Sequence, residues 1–288
     1  MLPRALLLSA VVIWGWTFVA TKVLVAEIGP LEIFALRLAI GLPFLGAVVL
    51  FRRVPLRFAR ADALPLVAGG AIFTLHFLVQ IAGLVTTTAT NTSWIISVSP
   101  LALAVLSFLF LRERIGWRGT VGIAVATAGI ILLVSDGNPA TLGSLHSTGD
   151  WLVIASAHTW AIYTVVTRDL VGRRHPLAVT FGILLIAATL TAVHFIASGD
   201  ATRVRSLSPR GVAALLYLAI PGLALGQWFW QEGVSRLGAT RAGVYLFLEP
   251  LATLALAIPL LGEQFGRVTA VGGGLVLAGV YLGQRKRT

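Results

Sequence analysis

The sequence predicts an all-α integral membrane protein: ten transmembrane helices, arranged as two inverted five-helix repeats around a central cavity. Three observations carry that expectation. Of 288 residues, 57% are hydrophobic and 11% charged, with a mean hydropathy of +0.92; a soluble domain is about 25% charged. Ten apolar segments are long enough to cross a hydrocarbon core of about 30 Å. Finally, residues 89–134 return without a gap as 239–284. Sliding one copy onto the other by 150 residues aligns Pro100-Leu101-Ala102 with Pro250-Leu251-Ala252, Glu113 with Glu263 and Gly116 with Gly266. Val121-Gly122 then meets Val271-Gly272, and Ala128-Gly129 meets Ala278-Gly279. Shared apolar composition scatters Leu and Val matches; it does not align prolines, glutamates and glycines in one register.

Each span is bounded by a recognisable break. The first, 5–26, follows Arg4 and resembles a secretory leader, but it is long, carries Trp14 and Trp16 and feeds straight into further spans. It reads as helix 1. Gly29-Pro30 separates it from 30–51, whose proline sits in the first turn, where its missing N–H is harmless. The Arg52–Asp62 stretch ends that span and 63–83 follows; Thr86–Thr88 then precede 92–111. Arg112–Arg114 lead to 117–135. The polar interval 137–147 joins a first repeat, 1–136, to a second, 148–288. There the spans are 148–168, 176–196, 210–232, 241–261 and 267–283, separated by Gly172–Pro176, Gly199–Pro209, Gly238 and Gly262–Gly266.

The net charge of +11 reads first as topology. Placing the termini on one side gathers 16 of the 22 basic residues there, including Arg52, Arg53, Arg57, Arg60, Arg173, Arg174 and the tail Arg285–Arg287. Arg203, Arg205, Arg210 and Arg267 fall opposite, and Lys22 and Arg37 lie in or near spans. Both termini are therefore expected in the cytoplasm of a bacterial inner-membrane protein, with no nucleic-acid partner. Five spans per half is an odd number, so the second copy enters the membrane in the opposite sense. Inverted repeats around a midplane site are the arrangement of many secondary transporters.

The repeated unit, with its Pro-Leu-Ala and its Glu-x-x-Gly before the last helix, resembles the EamA unit of the drug/metabolite transporter superfamily. Trp14-Gly15…Lys22 is similar to that family's first-helix pattern, and Trp160-Ala161…Arg168 is a weaker counterpart. The resemblance covers nearly the whole chain. It implies a ten-helix exporter of small metabolites, with exporters of amino acids, aromatic ones included, as the nearest group. Drugs or other metabolites on the same fold are the alternative.

Polar and ionisable groups inside spans are costly and usually face the bundle interior. The candidate binding residues are Trp14 and Thr17; His76 and Gln80, four apart; Trp94; His158, Trp160 and Tyr163; Gln227, Trp230 and Gln231; and Tyr245 and Glu249, again four apart. Aromatic faces attract an ammonium, while amides and hydroxyls bond a carboxylate. Structural roles compete with these: Trp94 as an interfacial anchor, Ser97 and Ser99 bonded to their own helix, Gln80 and Gln227 as interhelical bonds, Glu249 as a partner for Arg37, Lys22 snorkelling to the surface. Pro100 and Pro250 remove backbone donors inside spans, and kinks there are expected to gate the cavity. The pairs Ala124/Ala128 and Gly274/Ala278 have small-xxx-small spacing, read as close packing within one chain.

Other functions lack their residues. The sequence has no cysteine, no His-Glu-x-x-His and no Gly-x-x-x-x-Gly-Lys-Ser/Thr loop, so it offers no thiolate metal site, zincin site or ATP-driven engine. No cofactor and no metal are expected. A channel would need a ring of like residues, and an intramembrane enzyme a nucleophile–base set beyond a chance pair such as Ser97 and His76. The expected partners are a small-molecule substrate and membrane lipid, with the protein a monomer or weak homodimer.

Overall fold

The computed structural model describes residues 2–112, 116–135, 138, 147–198, 207–261 and 267–284. The repeat-motif residues Glu113, Glu263 and Gly266, most of the interval 137–147, Arg203, Arg205 and the basic tail lie outside them. Among the described residues every regular element is helical. The first half comprises α1 (Leu2–Val25), α2 (Pro30–Phe51), α3 (Arg60–Thr86), α4 (Ala89–Ile96), α5 (Ser99–Leu111) and α6 (Trp117–Val134). The second comprises α7 (Thr148–Arg173), α8 (Pro176–Ser198), α9 (Pro209–Tyr217), a π-helical stretch Leu218–Leu225, α10 (Gly226–Leu237), α11 (Ala239–Gly243), a 3-10 stretch Val244–Leu248, α12 (Glu249–Leu261) and α13 (Arg267–Gln284).

Among the described residues, six segments have the length and apolarity to cross a membrane: α1, α2, α3, Thr92–Leu111, Pro176–Ala197 and Pro209–Leu237. Two shorter ones, Trp117–Leu132 and Ala270–Leu282, are also apolar. The expected span at 148–168 forms α7 but is not among the six, because Ser156, His158, Thr159, Thr164 and Thr167 interrupt its apolar run. Leu50, Phe51, Leu64, Phe110 and Ile196 are exposed on the outside, as suits a surface solvated by lipid tails. Inside, hydroxyls bond their own helices: Ser97 Oγ donates to Ser93 O (3.1 Å), Thr164 Oγ1 to Trp160 O (3.0 Å) and Thr167 Oγ1 to Tyr163 O (2.9 Å). Such bonds satisfy the polar atom where no water is at hand.

The two halves interlock reciprocally. α1 packs on α10 and α12 of the other half, while α7, its counterpart, packs on α3 and α5. α6 and α13 pack on each other. A Cβ on Gly129 would stand 2.7 Å from Gly272 O, and one on Gly279 would stand 2.5 Å from Gly122 O. These are the glycines aligned by the repeat, each meeting the other copy's partner. The small-residue stripe anticipated from sequence is corrected: Ala124, Ala128, Gly274 and Ala278 are exposed, and the contact runs through Gly122, Ala126, Gly129, Gly272, Val276 and Gly279. Both stripes have helical spacing; only packing shows which one turns inward.

Polar contacts tie both ends of the bundle. At one end Lys22 Nζ donates to Leu84 O (2.8 Å) and Thr87 O (2.7 Å), capping the C-terminus of α3, where a cation is favoured. Thr87 Oγ1 donates to Asp150 Oδ1 (2.6 Å). Nearby, the Glu27 carboxylate accepts from Ser208 Oγ (2.6 Å) and Ser208 N (2.9 Å), bonds that hold its carboxyl below the usual range. At the other end the buried Asp62 caps α3 through Ala59 N (2.8 Å) and accepts from Arg174 Nε (2.7 Å).

Candidate functional site

Both halves break one span at the same register. The expected helix 92–111 divides into α4 and α5 around Ser97-Val98, and 241–261 divides into α11, a 3-10 stretch and α12. Pro100 and Pro250 are the second residues of α5 and α12. They lie in first turns, whose N–H groups have no intrahelical partner, so they start helices rather than kink them. The breaks turn Ile96 and Ser99, and their repeat equivalents Leu246 and Glu249, toward one interior cavity.

That cavity has an empty volume of about 430 Å³, its open side included. Seven of the expected residues line it: Trp14, Thr17, His76, Gln80, Trp160, Gln227 and Glu249. Phe18, Arg37, Phe77, Ile96, Ser99 and Leu246 complete it. The shift of 150 residues that relates the repeats also maps Phe77 onto Gln227, so three equivalent pairs face the same space. A second cavity, between α2 and α8, is lined by Leu36, Leu42, Ala188, Phe195 and similar residues. It has little polar surface to orient a solute.

Trp14 and Trp160, one from each half, meet edge to face at 5.0 Å between ring centroids. Trp14 Nε1 donates to Gly222 O (2.9 Å), in the π-helical stretch. π-helical turns are frequent at functional sites, and here Pro221 lies inside one. α2 reaches this turn closely: a Cβ on Gly41 would lie 2.6 Å from Ala219 O. Arg37, one helical turn before Gly41, thereby comes beside Gly222 and stacks its guanidinium 4.6 Å from the centre of the Phe77 ring. On the opposite wall α1 and α12 are bonded through Thr253 Oγ1, which donates to Gly15 O (2.9 Å), and this holds Glu249 near Trp14 and Thr17.

His76 is anchored from α7: its Nδ1 lies 2.9 Å from Ser156 O, so Nδ1 carries the proton and Nε2 is left for a solute. Thr17 Oγ1 is committed to Trp14 O (2.6 Å). Several buried polar atoms around the cavity have no hydrogen-bond partner among the described residues: Arg37 Nε, Ser99 Oγ, Trp160 Nε1 and both amide atoms of Gln227. Unpartnered buried polar groups are rare, and each asks for an explanation.

Six expected residues do not reach the cavity. Tyr163, Trp230 and Gln231 stand behind its wall: Gln231 Nε2 donates to the Tyr163 hydroxyl (2.6 Å), and Trp230 packs against Trp14 and Trp160 at 5.5 and 5.6 Å. Tyr245 is part of the main apolar core. Trp94 is buried against Val244 and Phe247 in a separate cluster, and so is neither a surface anchor nor a cavity residue. His158 is exposed, with Nδ1 turned back to Ile154 O (2.9 Å). Two residues before Trp160 on a helix is about 200° around it; His158 therefore faces outward because Trp160 faces inward. Arg37 is the main site residue the stripe-by-stripe reading passed over. Its signal was present, since a charge within a span marks a functional group. Ser99 was legible as the repeat equivalent of Glu249.

Comparison with known proteins agrees with this architecture. The EamA-like transporter family matches residues 3–135 and again 147–283. An "Uncharacterized transporter" of Archaeoglobus fulgidus is 30% identical over 98% of this chain and 97% of its own length. A "Probable terminal-alkyne amino-acid exporter" of Streptantibioticus cattleyicolor is 28% identical over 97% of this chain and 92% of its own. A solved crystal structure, 20% identical, superposes with a TM-score of 0.78 over 98% of this chain and 96% of that one, a likeness of fold.

Proposed function

The chain belongs to the EamA-like transporter family, and from that premise we propose that it exports amino acids across a bacterial inner membrane by alternating access. Transport rather than chemistry is the common activity of the family and of the relatives named above. The observation that carries the finer reading is the cavity's dual parentage. Ile96 with Leu246, Ser99 with Glu249, and Phe77 with Gln227 occupy equivalent repeat positions and line one space. A site shared between two halves that rock against each other opens first to one side, then to the other.

In this reading the chain crosses the membrane ten times as two inverted repeats, 1–136 and 148–288, with both termini cytoplasmic. The breaks before Pro100 and Pro250 are the hinges. The cavity's size suits one small metabolite. Its Trp, His and Gln lining suits the polar end of an amino acid without dictating its side chain, and the relative named as an amino-acid exporter supports that class.

The test is counterflow of labelled amino acids in liposomes containing the purified protein. Saturable exchange with several amino acids, with KM raised about tenfold or more in His76→Ala, is the expected result. Flux that never saturates would identify a channel. Saturable exchange of drugs or sugars alone would remove the amino-acid assignment and keep the carrier.

A further inference from the structure

Two groups in the cavity are not explained by the wall they belong to. Arg37 is buried to 2% exposure on α2, and Glu249 to 5% on α12. Neither forms an ion pair with a described residue, and they do not pair with each other. A buried charge without a compensating partner is strongly unfavourable. The face of Phe77 supports Arg37 only in part. Both groups nevertheless line the same small space, one contributed by the first half and one by the second.

We infer that Arg37 and Glu249 are the two poles of a receptor for zwitterions: Arg37 takes a substrate carboxylate and Glu249 takes its ammonium. This rests on the carrier reading above and deepens it. A guanidinium presents a planar fork of N–H donors that matches a carboxylate with two parallel bonds. Arg37 Nε is one such donor, buried and without a partner among the described residues. A carboxylate is the natural acceptor for an ammonium, and Trp14 and Trp160 present aromatic surface to the same cavity as Glu249. The Gln227 amide, with no partner among the described residues, adds a donor and an acceptor to the same cavity.

Selectivity follows from what each ligand leaves behind. A zwitterion meets both buried groups at once. A ligand with one pole leaves the other group buried and unpartnered, the costly case for a polar site. The site therefore discriminates by the backbone of an amino acid and is permissive toward its side chain, which meets the apolar part of the lining.

The experiment is a binding titration on the full chain in detergent, read by tryptophan fluorescence, since Trp14 and Trp160 line the cavity. The twenty common amino acids are titrated; the tightest binder is then compared with its amide, which lacks the carboxylate, and its N-acetyl derivative, which lacks the ammonium. Wild type is expected to bind each analogue about tenfold or more weakly than the parent. Arg37→Gln weakens the parent and leaves the amide unchanged; Glu249→Gln weakens the parent and leaves the N-acetyl derivative unchanged. Arg37→Lys, which keeps the charge and loses the fork, falls between. Equal binding of parent and amide by wild type overturns the proposal, as does binding of none of the twenty. The wild-type arms decide even if a variant fails to fold. Liposome flux measured in parallel separates the two readings: saturable flux without pole discrimination sinks the pair and keeps the carrier, whereas discriminating binding without flux sinks the carrier and keeps the pair.

Discussion

Gly15 is where the fold and the site meet, and replacing it with alanine tests both. The added Cβ would stand 2.7 Å from Ala252 Cβ, 2.7 Å from Glu249 O and 3.0 Å from Thr253 N. Carbon atoms rest about 3.5–4.0 Å apart, so α1 and α12 must separate by about 1 Å. Overpacking of this kind costs about 1–3 kcal/mol. Stretching the Thr253–Gly15 bond adds about 0.6 kcal/mol, the mean for hydrogen bonds between transmembrane helices. Alanine's better helix propensity returns about 0.8–1.0 kcal/mol. The balance is a loss of roughly 1–3 kcal/mol, or several degrees of unfolding midpoint for a chain of this size. Gly274→Ala is the control, because its Cβ would meet nothing within 4 Å and only the propensity gain remains. Heating the purified variants in detergent and measuring the fraction that stays monodisperse gives the midpoints. Gly15→Ala should fall below wild type and Gly274→Ala should not. KM for counterflow should rise in Gly15→Ala alone, because α12 carries Glu249 away from the cavity. Equal midpoints for the two variants would refute the contact.

Three further outcomes follow. His76→Ala should raise KM about tenfold or more, the cost of an unmade buried hydrogen bond, whereas His158→Ala, on the outer face, should leave KM unchanged; equal effects would misplace the site. Asp62→Asn and Arg174→Gln should each lower the thermal midpoint, and the double variant should fall by less than their sum, because one bond of 2.7 Å joins them; strict additivity would deny the coupling. The carboxyl of Glu27 titrates below its ordinary value because Ser208 bonds the charged form. Its contribution is therefore complete above the unfolded pKa of about 4.3 and is lost as pH falls through the lower folded value. Glu27→Gln should flatten the acid side of the midpoint–pH curve measured in detergent, and an unchanged curve would count against the bond.

Composition was enough to read the medium, since 57% hydrophobic residues cannot be hidden inside a chain this short of polar cover. The duplication was legible too, and it carried more than architecture: the same register shift aligns Gly129 with Gly279, which make equivalent contacts on the opposite copy, and Ser99 with Glu249, which line one cavity. Aromatic and polar candidates on α1, α3, α7 and α10 were found by type and spacing, and more than half of them line the cavity. What spacing could not say was which face turns inward. In these helices the lipid-facing and core-facing sides are both apolar, so little contrast marks the orientation. Packing settled it, turning Trp160 in and His158 out, and closing the α6–α13 contact on Gly122 and Gly129 rather than Ala124 and Ala128. It also decided that Pro100 and Pro250 begin helices, since a proline in a first turn and one in a kinked interior are spelled alike. Above all it placed Arg37 beside the π-helical turn, in the same cavity as Glu249 and unpaired with it. Two residues more than 200 positions apart share a site only because helices from both halves bring them together.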